Sequence, residues 1–346
     1  MGKILITGCA GFIGSHLVEY FLKSNAVVIG IDNLSRRGSE SNLQLIKNSS
    51  NSNFQFHKAD IRDFPTLESI FKEHKAFDLI IHEAAQVAVT TSITTPREDF
   101  EINALGTFNL LEAMRLFSPS AFFEFASTNK VYGKMNDIEV IEKNRRYEYT
   151  DLPQGISENY GLDFYSPYGC SKGTADQYVR DYSRIYGLKT VVLRQSCIYG
   201  TRQFGVEDQG WVAWFIIASV LGKPITIYGD GKQGRDILWI DDLVEVYANL
   251  YENAHKVSGE VFNIGGGANN YISILELINL LKNEGILQKD PLFSTWRAGD
   301  QKVFICDINK ISSLTGWNPS TSPSEGVIKI IQWSKDNKEL LSKILN

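Results

Sequence analysis

The chain has 346 residues, of which 43% are hydrophobic and 22% charged, an ordinary globular composition that excludes a disordered or collagen-like protein. At about 150 residues per domain, the length predicts two domains, or one large domain with a smaller one attached. The 35 basic and 40 acidic side chains give a net charge of −5, which argues against a general nucleic-acid or membrane-surface binder.

The cysteines and apolar segments indicate the compartment. The four cysteines are spread along the chain without a C-x-x-C pair, so neither a disulfide framework nor a cysteine zinc site is expected. The longest apolar run, 211–221, is too short to span a bilayer, which takes about 18 to 20 residues. The first residues lack the pattern of a cleavable signal. We therefore expect a soluble cytoplasmic protein with no metal site and no membrane contact.

The first half of the chain alternates short β-rich segments with helical patterns. Strands are predicted at 3–7, 27–31, 54–57, 79–82, 122–126 and 190–194, and helices at 13–24, 66–75, 97–117 and 167–186. In the first helix Ile13, Leu17 and Phe21 recur at i, i+4 and i+8, which makes one apolar face. This alternation predicts an α/β protein with a Rossmann-type, doubly wound parallel sheet.

Beyond residue 195 the pattern is less regular and predicts a smaller C-terminal α/β domain. Glycine-rich and charged loops alternate there with short strands, and further helices are predicted at 273–284 and 324–345. We expect the first domain to comprise residues 1–195, with a strand and a helix from about 236–265 returning to it. Residues 196–346 then form mainly the second domain.

A glycine-rich loop follows the first strand directly and opens the first helix. Gly8, Gly11 and Gly14 have the spacing G-x-x-G-x-x-G. Such glycines allow a tight turn, close approach of backbone N–H groups to a pyrophosphate, and close packing of helix on strand. The N-terminus of the helix adds partial positive charge. The loop therefore predicts a nicotinamide dinucleotide bound by residues 1–195.

The end of the second strand indicates which dinucleotide is expected. Asp32 stands there, 18 residues past Gly14, where a carboxylate accepts hydrogen bonds from the adenosine ribose and repels a 2′-phosphate. Arg36 and Arg37 lie nearby, and arginines at such a place can instead hold a 2′-phosphate, or flank the adenine or pyrophosphate. NAD is favoured over NADP.

Tyr168 and Lys172 are four residues apart and share one helix face. An unperturbed tyrosine has a pKa of about 10, too high for a general base at neutral pH. The lysine cation, together with a positive nicotinamide ring, is expected to stabilise the phenolate and lower that pKa. A second polar segment, STNKVYG at 127–133, follows the fifth strand at the edge where open α/β sheets bind ligands.

The glycine loop, the Ser-Thr pair after the fifth strand and the Y-x-x-x-K spacing together resemble the extended short-chain dehydrogenase/reductase superfamily, in particular its sugar-nucleotide epimerases and dehydratases. The resemblance covers nearly the whole chain. It implies that Thr128 hydrogen-bonds the reacting sugar hydroxyl, that Tyr168 is the base, and that Lys172 assists it and binds the nicotinamide ribose. Further cofactor contacts are implied at Phe12, Ile13, Asn33, Ser35, Arg36, Asp60, Ile61, Ala84, Ala85 and Gln86.

Two departures from the superfamily pattern narrow the reaction. Dehydratases carry an Asp-Glu pair directly after the active-site Thr, and this chain has Asn129 and Lys130, which cannot eliminate water. The 4-epimerases usually show Arg-Tyr-Phe-Asn near the sixth strand, where this chain has Arg194-Gln-Ser-Cys. Cys197 then replaces an asparagine that contacts the substrate phosphate, and we interpret it as a small buried hydrophobic residue.

Longer blocks indicate one branch of the superfamily. STNKVYG, LDFYSPYGCSKG, RQFGVEDQGWVAWF and GKQGRD resemble the CDP-paratose 2-epimerases, also called CDP-tyvelose epimerases, of lipopolysaccharide O-antigen biosynthesis. The resemblance implies inversion of carbon 2 of a CDP-linked 3,6-dideoxyhexose by transient oxidation to a 2-keto sugar and re-reduction by the same NAD. Substrate contacts are implied at Gln86, Thr128, Asn129, Gln203, Tyr228, Arg235, Arg297 and Asp300.

Several aromatic residues and one histidine have structural roles in this interpretation. Trp211, Trp214 and Phe215 are expected in the core or a subunit interface, and His82 is expected to be a hydrogen-bonded core histidine. A UDP-hexose 4-epimerase and a non-catalytic NAD-sensing regulator stay open as alternatives, although an intact Thr, Tyr and Lys set argues against the regulator. The helices at 97–117 and 167–186 predict a homodimer or homotetramer, because family members pair such helices between subunits.

Overall fold

The computed structural model describes residues 2–49, 52–207, 209–296 and 301–345. Its strands, in chain order, are β1 (Lys3–Thr7), β2 (Val27–Asp32), β3 (Phe54–Lys58), β4 (Leu79–His82), β5 (Phe122–Thr128), β6 (Val140–Glu142), β7 (Tyr147–Tyr149), β8 (Lys189–Gln195), β9 (Cys197–Tyr199), β10 (Thr226–Tyr228), β11 (Gly234–Trp239), β12 (Val261–Ile264), β13 (Tyr271–Ser273), β14 (Leu292–Ser294) and β15 (Val303–Phe304).

The helices, in chain order, are α1 (Phe12–Lys23), α2 (Ser39–Ser49), α3 (Phe64–His74), α4 (Val89–Thr94), α5 (Pro96–Phe100), α6 (Gly106–Phe117), α7 (Ser166–Tyr186), α8 (Trp211–Val220), α9 (Ile240–Glu252), α10 (Ala254–Val257), α11 (Ile274–Asn283), α12 (Asn309–Thr315), α13 (Pro323–Asp336) and α14 (Lys338–Leu345). Within the described ranges, no helix has both the length and the apolar character needed to cross a membrane.

A parallel sheet of seven strands forms the centre of the structure, in the order β12-β8-β5-β4-β1-β2-β3. Its inner strands are apolar runs because both faces are covered by helices. α1 and α9 pack on one face, where Leu17 and Phe21 are fully buried. α3, α6 and α7 cover the other face around Phe71 and Leu110. The predicted Rossmann-type α/β fold is confirmed.

The rest of the chain forms smaller sheets beside the carboxyl edge of the large one. β11 pairs with β9, β13 and β15, β10 pairs with β14, and β6 pairs with β7. From the segment 236–265, β12 lies in the large sheet beside β8, and α9 packs against α1. β11, in contrast, belongs to a small sheet. The strands that pair with β11, namely β9, β13 and β15, all lie within residues 196–346, the region that we predicted as the second domain.

The helices differ from the predicted ones in several places. The helix expected at 97–117 is interrupted by a π-helical turn at Glu101–Leu105, where the Thr107 hydroxyl donates to the Asn103 carbonyl oxygen at 2.6 Å. The helix expected at 324–345 breaks at Asn337 between α13 and α14. α2 was not predicted, because its sequence SESNLQLIKNS is mostly polar and has only Leu43 and Ile46 as buried apolar residues.

Candidate active site

Two cavities open along the carboxyl edge of the large sheet. The smaller one, of about 210 Å³, is lined by the predicted cofactor residues Gly8, Gly11, Phe12, Ile13, Gly14, Asp32, Asn33, Ser35, Arg36, Asp60, Ile61, Ala84 and Ala85. The larger one, of about 600 Å³, is lined by Thr128, Asn129, Tyr168, Tyr228 and Arg235 among the predicted catalytic and substrate residues. The structure thus brings most of the predicted site into two adjoining spaces.

The glycine loop forms a cradle between β1 and α1. Gly8 has φ +68, and a Cβ there would lie 2.7 Å from the backbone nitrogen of Ala84. A Cβ at Gly14 would lie 2.1 Å from the Gly8 carbonyl oxygen, so α1 packs directly on the loop. Both positions therefore require glycine, and the first turn of α1 faces the smaller cavity. This arrangement fits the pyrophosphate of a dinucleotide.

The carboxylate of Asp32 is held in place at the end of β2. Its two oxygens accept hydrogen bonds from the backbone N–H groups of Leu34 at 2.7 Å and Ala10 at 3.0 Å. Burial raises the pKa of Asp32 from its ordinary value. Arg36 lines the same cavity, and its guanidinium donates to the side-chain oxygen of Gln209. Asp32 is therefore fixed at the cavity wall, and Arg36 is engaged by a protein partner.

Asp60 and Ile61 close the smaller cavity after β3. The Arg62 guanidinium donates to both oxygens of Asp60, at 2.9 and 2.7 Å, and lowers the pKa of Asp60 to about 2. Asn33 also donates to this carboxylate at 3.0 Å. Ile61 is buried, and a Cβ at Gly106 of α6 would lie 2.5 Å from its side chain. The loop after β3 is thus fixed from both sides.

Tyr168 and Thr128 meet at the floor of the larger cavity. α7 carries Tyr168 in its first turn, and β5 ends at Thr128. Burial raises the pKa of Tyr168 to about 12, and a side-chain hydrogen bond with Thr128 opposes that shift. Asp99 and Glu83 raise the pKa further through their negative charge. In the chain alone, burial outweighs the other effects. The lowered pKa that we expect includes the positive charge of a nicotinamide ring, and it stays a prediction.

Lys172 lies one turn behind Tyr168 and is buried. Its loss of hydration lowers the pKa to about 8, while the charges of Glu83, Asp176 and Asp99 oppose that shift. The Lys172 ammonium lies 4.3 Å from the centre of the Phe125 ring. Lys172 lines neither cavity. The ammonium is therefore enclosed by protein groups, and its predicted role beside Tyr168 stays a prediction.

At the far end of the larger cavity lie the predicted nucleotide contacts. The Tyr228 hydroxyl donates to a carboxylate oxygen of Glu207 at 3.2 Å. Arg235 donates to the Gly234 carbonyl oxygen at 2.7 Å, and both Tyr228 and Arg235 line the cavity. Arg297 and Asp300 were also predicted here, and they lie outside the described residues.

Two predicted substrate residues are placed elsewhere. Gln86 lines neither cavity, because its side-chain amide donates to Asp99 at 2.7 Å and forms two hydrogen bonds with the backbone of Ala88. Gln203 lines the smaller cavity rather than the larger one, and its amide donates to the Ile198 carbonyl oxygen at 3.3 Å. Neither side chain reaches the larger cavity, since both are held by nearby backbone or carboxylate groups.

Several lining residues of the larger cavity were missed from sequence. Lys130 lies beside Thr128 and donates to the side-chain oxygen of Gln301 at 3.2 Å. Trp211, which we expected in the core or an interface, lines this cavity, and so does the buried Phe215. The sequence did offer one indication that Lys130 lies in the site, because it stands where dehydratases carry the Glu of their Asp-Glu pair. Its partner is 171 residues away, so no local pattern could reveal the pair.

Of the residues predicted to be structural, His82 lies in the core, whereas Cys197, which we interpreted as buried, is only half-buried and lines the larger cavity. His82 is buried between the hydroxyls of Thr7, at 2.7 Å, and Thr107, at 2.9 Å, so the prediction of a hydrogen-bonded core histidine is confirmed. The four cysteines are free thiols. Burial raises the pKa of Cys197 to about 12, which keeps the thiol neutral at the wall of the larger cavity.

The chain matches the family model described as GDP-mannose 4,6 dehydratase over residues 5–330. The chain belongs to this family. It is thereby a member of the extended short-chain dehydrogenase/reductase superfamily, as the glycine loop and the Y-x-x-x-K spacing predicted.

Among curated proteins, this family member is 45% identical to a CDP-paratose 2-epimerase of Salmonella typhi, over 96% of this chain and 99% of that protein. A UDP-glucose 4-epimerase structure from Thermotoga maritima with UDP-glucose has a TM-score of 0.82 at 32% identity, covering 98% and 99% of the two chains. A UDP-glucuronic acid 4-epimerase structure from Bacillus cereus, with UDP-glucuronic acid and NAD, has a TM-score of 0.81 at 31% identity, covering 96% and 99%.

Proposed function

We propose that this protein is an NAD-dependent epimerase that inverts carbon 2 of a CDP-linked 3,6-dideoxyhexose and converts CDP-paratose to CDP-tyvelose. The observation that carries the proposal is the 45% identity, over 96% of the chain, with a CDP-paratose 2-epimerase. Asn129 and Lys130 after Thr128 support an epimerase over a dehydratase, because an amide is neither an acid nor a base and the one lysine does not replace the carboxyl pair of an elimination. The alternative of a UDP-hexose 4-epimerase rests on relatives of lower identity.

The smaller cavity suits NAD. A side chain at Gly8 or Gly14 would collide with backbone atoms of Ala84 or of the loop itself, so these glycines keep the turn tight at the N-terminus of α1, where a pyrophosphate fits. Asp32 offers a fixed carboxylate to the ribose diol, which favours NAD over NADP. When bound, NAD supplies the redox chemistry by taking a hydride from carbon 2 of the sugar and returning it.

The chain's own residues handle the proton and the orientation of the sugar. Thr128 hydrogen-bonds the 2-hydroxyl and Tyr168 removes its proton, since these two side chains meet at the wall of the larger cavity. Lys172, with a pKa of about 8, is mostly protonated at neutral pH and stabilises the phenolate from behind. The 2-keto sugar turns within the cavity of about 600 Å³ and presents its other face. Tyr168 then returns the proton.

A second route to inversion is deprotonation at carbon 2. That route needs a carbonyl next to carbon 2, which the substrate lacks, and a second acid–base residue on the opposite face of the sugar. Among the described residues that line the larger cavity, the carboxylate is Glu207, which accepts a hydrogen bond from Tyr228 at the nucleotide end. The oxidation route therefore needs fewer groups and uses those that lie together.

The test is conversion of CDP-paratose in heavy water. We expect CDP-tyvelose without deuterium at carbon 2, and we expect deuterium that is already on carbon 2 to be retained in the product. Solvent deuterium at carbon 2 would contradict the oxidation route while leaving the substrate assignment intact. Faster inversion of a UDP-hexose at carbon 4 than of any CDP-sugar would instead overturn the substrate assignment.

We also propose that two copies of the chain pair through α6 and α7, as a homodimer or a homotetramer. Large apolar side chains are exposed along these helices, including Phe108, Leu116, Tyr178 and Ile185, the last with 67% of its surface exposed. Such a continuous apolar face suits burial against a second copy. Light scattering after gel filtration should give a dimer or tetramer, and Ile185→Glu should shift it toward monomer. A cytoplasmic location stays a prediction.

A further inference from the structure

His57, Glu73 and His74 form a cluster on the edge strand of the large sheet. His57 lies on β3, and Glu73 and His74 lie in the last turn of α3. Their potential ligand atoms all lie within 4.8 Å of one another. None of the three lines either cavity of the candidate active site. The cluster is therefore separate from the site described above. The sequence analysis predicted no metal site, and His57 and His74 are 17 positions apart in the chain.

The imidazole rings of His57 and His74 face each other through their Nε2 atoms. The Nε2 atoms of His57 and His74 are 2.8 Å apart, and the rings are nearly perpendicular, at 78°. Each neutral imidazole has one lone pair and one N–H, so in the metal-free chain one ring donates its N–H to the other, and a metal ion can take the place of that shared proton. A Glu73 carboxylate oxygen lies 3.7 Å from Nε2 of His74 and adds negative charge at that point.

We propose that His57, His74 and Glu73 bind a divalent transition-metal ion, with zinc as the best match. Two imidazole nitrogens and one carboxylate oxygen are a ligand set that zinc prefers, whereas magnesium and calcium prefer oxygen ligands. Bonds of about 2.0 to 2.1 Å in a tetrahedral site hold ligand atoms about 3.3 Å apart. The observed separations bracket this value, so small side-chain rotations suffice to form the site.

The surroundings of the cluster set the accessibility and strength of the site. His74 is buried, His57 is half-buried and Glu73 is exposed, so the ion would enter from the side of Glu73. A surface cavity lined by His57, Glu73, Asp63 and other polar residues leaves room there for water as a fourth ligand. The Lys3 ammonium donates to the backbone carbonyl oxygen of His74 and opposes an added cation. We therefore expect a moderate affinity.

Metal binding at this place would join the end of α3 to β3. The ion would stabilise the folded chain, because the unfolded chain does not hold the three ligands together. The reacting groups lie in a different part of the fold, so turnover should not depend on the metal.

The test uses the untagged full-length protein after treatment with a chelator. Calorimetric titration with zinc should show one ion per chain, and zinc should raise the melting temperature by a few degrees. His57→Gln should weaken zinc binding at least tenfold and abolish that rise. Glu73→Gln, at an exposed position that folding does not require, should weaken binding by a smaller factor. Copper(II) bound to the native protein should show two nitrogen ligands by electron paramagnetic resonance.

Two controls identify the site. His255→Gln removes an exposed histidine elsewhere and should leave zinc binding unchanged. Cys170→Ser removes the exposed thiol and should also retain the ion. Equal zinc affinity of the native protein and His57→Gln would overturn the proposal, as would a native protein that binds no zinc. Loss of binding in Cys170→Ser with retention in His57→Gln would assign the ion to the thiol instead.

Discussion

The carboxylate of Asp99 accepts a hydrogen bond from the hydroxyl of Ser171, with 2.5 Å between the two oxygens. Ser171 lies on α7 between Tyr168 and Lys172. The other oxygen of the same buried carboxylate accepts from the Gln86 amide at 2.7 Å. Asp99 thus joins the loop after β4, at the boundary of the two cavities, to the helix that carries the tyrosine and the lysine.

Asp99→Asn should destabilise the protein and shift its pH dependence. An asparagine presents an N–H₂ group where the carboxylate accepts hydrogen bonds from Gln86, Asn103 and Ser171. At least one buried donor then stays unpaired, at a cost of about 1–3 kcal/mol in the free energy of unfolding. Because the charge of Asp99 raises the pKa of both Tyr168 and Lys172, both limbs of the pH profile of kcat/KM should move to lower pH. Urea denaturation and kinetics from pH 5 to 10 measure both effects.

The matched control for that charge change is Asp181→Asn, an exposed carboxylate on the same helix. It should leave stability and the pH profile close to those of the native protein. An Asp99→Asn variant with native stability and an unshifted profile would show that the carboxylate does not position the helix.

Tyr168→Phe should abolish most of the epimerisation while the protein still folds and binds NAD. The change removes only the phenolic oxygen, and loss of a general acid–base group costs about 10²-fold or more in turnover. Tyr251→Phe removes a phenol from α9, away from both cavities, and serves as the control. Steady-state kinetics with CDP-paratose and calorimetric titration with NAD test this prediction. If Tyr168→Phe had the turnover of the native protein, another group would have to transfer the proton.

NAD should bind at least tenfold more tightly than NADP, a difference of about 1.4 kcal/mol. The reason is the fixed Asp32 carboxylate at the wall of the smaller cavity, which accepts from a ribose diol and repels a 2′-phosphate. Asp32→Ala should reduce the difference between the affinities for NAD and NADP, mainly by weakening the binding of NAD. Calorimetric titration with both cofactors measures it, and equal affinities in the native protein would refute the assignment.

Glu83 should make the protein less stable as the pH rises from about 4.5 to about 7. Burial raises the pKa of Glu83 to about 7, so between its unfolded and folded pKa values the native state binds more protons than the unfolded state. Stability is then greatest below that window and falls as pH rises through it, by at most about 3 kcal/mol. Glu83→Gln keeps an acceptor for the Tyr247 hydroxyl and should remove this pH dependence.

Urea denaturation at pH 5 and pH 8 measures that effect as the difference between the native protein and Glu83→Gln. The exposed Glu339→Gln is the control and should follow the native protein at both pH values. If the native protein and Glu83→Gln lost stability in parallel, another group would be responsible.

The local features of the fold could be predicted from sequence because they depend on residues close together in the chain. The strands at 3–7 and 79–82 were predicted with the observed bounds, and other strands of the large sheet differ by one or two residues at their ends. The role of Gly8 as a turn residue follows from its place between a strand and a helix. The interruption at Glu101–Leu105 could not be predicted, because it depends on side-chain contacts within the folded helix and around Asn103.

The sequence by itself determined the doubly wound fold, the glycine loop and the spacing of Tyr168 and Lys172, since periodicity and short motifs act over a few residues. Only the tertiary structure decided the chemistry of those groups. Burial raises the pKa of Tyr168, an effect that its spacing to Lys172 does not reveal. Asp99 turns the Gln86 amide away from both cavities, and Lys130 finds its partner in Gln301. Desolvation and hydrogen bonding between distant segments depend on which surfaces meet, and that is fixed when the chain folds.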